Sequence, residues 1–118
     1  MGKQRKRLKR YFHRTTRKAV NAILASGFRD RTGKYLTDRQ WRGVWLSDIP
    51  LDIDQGARGG VLLQVQLPPD LVEQYEWKEE GKPYREFLVP ANLINRRGVG
   101  LREVDEASLR RNRRSYGT

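Results

Sequence analysis

Apolar positions fall into one helical stretch and several alternating ones. Val20, Ile23 and Leu24 recur at the spacing of a single helix face, with Ala19 beside them. Just upstream, Thr15 or Thr16 can cap that helix, because a hydroxyl accepts from a free N–H of the first turn. Gly27 suits the left-handed residue past the helix end, and Phe28 can fold back over the last turn. Tyr11 and Phe12 precede all this as a short strand. The stretch Tyr11–Phe28 therefore predicts strand, turn and helix, with His13-Arg14-Thr15 at the handover.

Period-two patterning takes over afterwards. In Gly43–Asp48, Val44 and Leu46 alternate with Trp45 and Ser47, so Trp45 is predicted to face away from its aliphatic neighbours. Pro50 ends that strand, since it cannot donate to a ladder. Val61, Leu63, Val65 and Leu67 line one side of the clearest strand, which Pro68-Pro69 stops. Tyr84–Val89 is again strand-like, with Tyr84, Glu86 and Leu88 on one side and Pro90 closing it. Gly98–Val104 predicts a last strand and Tyr35-Leu36-Thr37 a short one. Asp38–Trp41 reads as a turn of helix, Asn92–Asn95 as a turn, and residues 70–77 as a short helix or a hairpin arm. Gln55–Gly60 is a glycine loop without G-x-G-x-x-G or P-loop spacing. One early helix followed mostly by strands predicts an α+β domain.

Length adds that 118 residues make one domain with a modest core. The absence of cysteine excludes disulfides, thiolate zinc sites and cysteine nucleophiles. One histidine without clustered His/Asp/Glu spacing points away from a metal site. No apolar run is long enough to span a membrane, and no apolar segment follows the basic N-terminus as in a secretory signal, so the expected location is cytoplasmic.

Charge changes the picture more. Of the net +11, residues 1–10 supply six Lys/Arg and residues 108–118 four Arg, with no acid in either. That leaves 15 Lys/Arg against 14 Asp/Glu for residues 11–107, or +1. The reading is a nearly neutral body, 11–107, between a basic arm and a basic tail that attract polyanions or simply keep the protein soluble.

Three segments carry candidate chemistry. His13-Arg14-Thr15 opens a helix ending in Gly-Phe, Gly43-Val44-Trp45-Leu46-Ser47-Asp48 follows, and Glu86-Phe87-Leu88-Val89 lies on a later strand. Their order resembles the catalytic domain of the ADP-ribosyltransferases, in the diphtheria-toxin-like and poly(ADP-ribose) polymerase branch. That family shows a His-Gly-Ser/Thr strand end, a Gly-x-Tyr-Phe-Ala-Asp strand and a Glu-Tyr-x-Val strand. The resemblance covers roughly residues 11–104 and implies a small split β-sandwich of short, mostly antiparallel strands with one main early helix. It implies NAD as substrate: His13 on the adenosine-side ribose, Thr15 near the nicotinamide amide, Trp45 stacking on the nicotinamide ring, and Glu86 on the nicotinamide ribose as the catalytic carboxylate. A carboxylate aimed at that sugar would stabilise an oxocarbenium-like state. Arg14 or Arg29 would meet the pyrophosphate by fork geometry. Arg14 departs from the family's usual glycine, and Trp45 lacks the tyrosine hydroxyl.

The implied function is an NAD-dependent ADP-ribosyltransferase, or an NAD glycohydrolase of that fold, acting on or near nucleic acid, in a small basic chain that would suit a toxin or effector. Alternatives are an RNA 2′-phosphotransferase-like enzyme and a non-catalytic nucleic-acid-binding module. In the module, Tyr35, Trp41 and Trp45 interleave with Arg31, Lys34, Arg39 and Arg42. A third class is a basic assembly protein in which only the tails bind. On the transferase reading, His13, Trp45 and Glu86 should line one groove.

Overall fold

A computed structural model describes residues 7–35, 39–51 and 60–105. The elements are β1 (Lys9–Thr15), α1 (Arg17–Ser26), β2 (Arg31–Tyr35), β3 (Arg39–Ser47), β4 (Val61–Leu67), α2 (Pro69–Val72) running into a 3-10 turn (Glu73–Tyr75), β5 (Glu76–Trp77), β6 (Glu86–Val89), α3 (Ala91–Arg97) and β7 (Val99–Glu103). The expected strand at 35–37, the glycine loop, most of the N-terminal arm and the C-terminal tail lie largely outside the described residues.

The strands form one antiparallel sheet in the order β5-β6-β3-β1-β4-β7, with β2 paired to β3. The expected α+β class holds. The expected sandwich is replaced by a single sheet, because β1 pairs on both of its edges. With β4 it forms a ladder from Lys9↔Leu67 to Thr15↔Val61. With β3 it pairs only at Phe12↔Ser47. Beyond that pair β1 and β3 part, and this opening positions the candidate site.

Alternation sorts side chains between two faces. Tyr11, Val44, Leu46, Leu63, Val65, Leu67, Phe87 and Val89 point to the face covered by the helices, where they meet Val20, Val72, Ala91 and Ile94. Tyr11 and Phe87 meet edge to face, with ring centroids 5.4 Å apart. The other face carries a smaller cluster of Phe12, Leu62 and Val104.

Local chemistry explains most boundaries. Thr16, rather than Thr15, caps α1: its Oγ1 accepts from Ala19 N at 3.2 Å. Gly27 ends the helix with φ of 89°, a conformation other residues seldom adopt. Three expectations fail. Of the expected helical turn Asp38–Trp41, Arg39–Trp41 are strand: β3 begins at Arg39, with Trp41 paired to Gly33, and Asp38 lies outside the described residues. A Cβ on Gly33 would sit 2.5 Å from the Trp41 indole, so a bare glycine there lets β2 lie beside β3. Asn92–Asn95 is part of helix α3, whose Ala91 and Ile94 bury one stripe. Finally, Lys9 and Arg10, assigned to the basic arm, belong to β1.

Candidate functional site

Where β1 and β3 part, a cavity of about 240 Å³ opens between α1 and the first half of β3. His13 and Thr15 come from the end of β1, Ala19, Ala22 and Ile23 from α1, and Phe28, Arg29 and Arg31 from the connection into β2. Trp41, Gly43, Val44 and Trp45 on β3 complete the wall. Trp45 and His13 alternate to opposite faces, yet both border the cavity because the sheet is open between their strands.

His13 bridges that opening. Its Nδ1 lies 2.8 Å from the Trp45 carbonyl oxygen. A carbonyl only accepts, so Nδ1 carries the proton and donates. In the neutral ring Nε2 is then an acceptor, and among the described residues it has no protein partner. The Phe28 ring meets the imidazole edge to face at 5.6 Å. Phe28 is fixed in turn by Asn95, whose Oδ1 accepts from Phe28 N at 2.8 Å and whose Nδ2 donates to Phe28 O at 2.9 Å.

Burial lowers the His13 pKa below its ordinary 6.5. The bond to Trp45 O opposes that shift, and the nearby Arg31 charge adds to it. The unfolded chain thus takes up this proton at higher pH than the fold does. The resulting contribution to stability is complete above pH 6.5 and lost as pH falls through the folded value. As the protein's one histidine, His13 should show a single imidazole NMR titration with a midpoint below 6.5. A midpoint at or above that value would contradict the half-buried, neutral ring.

The rim is cationic. Arg29 and Arg31 are exposed, with no acidic partner among the described residues. Elsewhere Arg17 pairs with Glu103, Arg42 with Asp30, Lys82 with Glu79 and Glu86, and Arg85 with Glu76. Trp41 and Trp45 meet edge to face at 5.5 Å, and Trp45 and Trp77 at 5.3 Å, giving a run of three half-buried indoles.

Of the residues singled out in the sequence, His13, Thr15, Arg29 and Trp45 border this cavity and two do not. Arg14 alternates to the opposite face from His13, where its Nε donates to Leu51 O. Glu86 is the larger correction. It pairs with Ser47, which pairs with Phe12, so Glu86 shares the face of Phe12 and lies opposite His13. Its Oε1 accepts from Lys82 Nζ at 2.9 Å. The expected groove of His13, Trp45 and Glu86 does not form, because one residue of register sends neighbouring side chains to opposite faces. Sequence reasoning missed Phe28 as a wall residue; Trp41 and Arg31, which also line the cavity, were singled out only for the nucleic-acid-binding module.

Among the described residues no three His, Asp or Glu side chains converge as a metal site, and no helix is long and apolar enough to cross a membrane. The chain matches no protein-family model, no curated protein and no solved structure.

Proposed function

We propose that this domain is a nucleic-acid-binding module, in which one nucleotide of a single strand enters the cavity beside His13. The observation that carries the reading is the pairing of two exposed guanidinium groups, Arg29 and Arg31, which have no acidic partner among the described residues, with the indoles of Trp41 and Trp45 at one cavity. Guanidinium forks match phosphate oxygens. Indole faces stack on bases irrespective of sequence. A net charge of +11 draws polyanions to the surface.

Size supports the same reading. Pockets that enclose a drug-sized ligand span roughly 300–1,000 Å³. At about 240 Å³ the cavity takes a single ring system and leaves the rest of the ligand outside. A base turned out of a strand meets that description better than an enclosed dinucleotide.

The test is fluorescence anisotropy with a labelled single-stranded oligonucleotide. Replacing both Arg29 and Arg31 by Gln should weaken binding about tenfold or more, since charge-assisted hydrogen bonds are worth roughly 1.5–3 kcal/mol each. Unchanged affinity in a folded double variant would sink the proposal.

A second reading, NAD cleavage, is favoured by the presence of His13, Thr15, Trp45 and Arg29 at one cavity. It lacks the carboxylate, which Lys82 holds on the other face. The expected result is no nicotinamide release from NAD above buffer, for the parent or for Glu86→Gln. Release that fell about a hundredfold on that substitution, as losing one electrostatic group at a transition state does, would restore the transferase.

A further inference from the structure

We infer that the cavity selects bases presenting a ring N–H, as uracil, thymine and guanine do, and that His13 Nε2 is the acceptor that reads it. The inference deepens the nucleic-acid reading above and rests on it.

Donors dominate the side chains of the cavity wall. Arg29 and Arg31 only donate, as do the indole nitrogens of Trp41 and Trp45. The hydroxyls of Thr15 and Ser26 either donate or accept. The remaining polar side chain is His13, whose tautomer is fixed by a backbone carbonyl: Nδ1 must donate to Trp45 O at 2.8 Å, so Nε2 must accept. His13 is therefore the one obligate acceptor among the lining side chains, set beside several donors. The ring is also held in orientation, by that bond and by the Phe28 edge.

A base that fits must offer a donor to His13 flanked by acceptors for the guanidinium groups. Uracil and thymine present N3–H between two carbonyl oxygens, and guanine presents N1–H beside O6. Adenine N1 and cytosine N3 are acceptors and would place a lone pair against that of Nε2. Discrimination follows from leaving that acceptor unpaired once a base covers it as much as from the bond gained.

The experiment uses the full chain and two pairs of probes. Labelled oligouridine is compared with oligouridine methylated at N3, which keeps each phosphate and removes the ring N–H. Free UMP is compared with N3-methyl-UMP by quenching of tryptophan fluorescence. The parent should bind oligouridine about three- to tenfold more tightly than its methylated form, the range expected for one neutral hydrogen bond. Ala22→Phe, which fills the cavity from α1 without touching the His13–Trp45 bond, should abolish the difference. His13→Phe, checked for folding by circular dichroism, should do the same.

Equal affinity for the two oligomers would overturn the inference and leave strand binding standing. Failure of both oligomers to bind, with UMP still preferred over its methylated form, would remove the strand reading and keep the base selectivity. Binding of neither oligomer nor mononucleotide would remove both.

Discussion

Replacing Phe87 by alanine should cost about 3–5 kcal/mol, the usual range for emptying a buried aromatic site. Phe87 has no solvent exposure, and it meets the buried Tyr11 ring edge to face. It also lies opposite Leu46 in the β3–β6 ladder. Its removal would leave a void where β1, β3 and β6 share the helix-covered face. Against a typical domain stability of roughly 5–15 kcal/mol that is a large fraction. Thermal melting followed by circular dichroism should show the midpoint falling by roughly 10–20 °C. Phe87→Leu, which keeps most of the apolar volume, should cost less than half as much. A fall of only a degree or two for Phe87→Ala would mean that the core is centred elsewhere. Glu86, one residue earlier, tests the other face: Glu86→Gln trades its contact with Lys82 for a neutral one and should move the midpoint far less than Phe87→Ala.

Strand binding should be steeply salt-dependent, and part of that slope should belong to the cavity rim. Each phosphate contact on a single strand contributes about 0.7 to the slope of log K against log salt, through release of condensed counterions. Six contacts would give a slope near −4 and a loss of a few hundredfold between about 50 and 200 mM salt. If Arg29 and Arg31 each meet one phosphate, the double Gln variant should lower the slope by about 1.4. Titrations at four or five salt concentrations decide it. A slope unchanged in that variant would assign the electrostatics to the basic residues of the termini, which hold ten Lys/Arg between residues 1–10 and 108–118. It would leave the rim without a role in the strand.

Tyr11 gives the fold a further dependence at high pH. Burial, reinforced by nearby carboxylates, raises its pKa to about 12. Because the folded pKa exceeds the unfolded value of 10, the contribution is whole below pH 10 and is lost as pH rises toward 12.

Features that depend on neighbouring residues alone were legible in the chain. Helix α1 has its hydroxyl cap and its terminal glycine within a dozen positions, and each acts on backbone groups one turn away, whereas of the expected stripe Val20 is buried and Leu24 is exposed. Strand β4 announces itself by apolar residues at every second position from Val61 to Leu67 and a proline stop. The strand from Gly43 to Ser47 was visible for the same reason, and so was the orientation of Trp45 away from Val44 and Leu46.

Tertiary structure decided what alternation cannot: which strand lies beside which, and in what register. Alternation gives each strand two faces but not the face that meets the helices, and a shift of one residue exchanges them. The pair Phe12↔Ser47, with Ser47↔Glu86, put Glu86 on the side away from His13 and dissolved the expected groove. The same single pair left β1 and β3 apart beyond it, and so made the cavity. The long-range ties were equally invisible. Asn95 holds Phe28 across 67 positions, and His13 reaches Trp45 across 32. Nothing local to either residue names its partner, because the energy of such bonds is realised only once the sheet has brought the two backbones together.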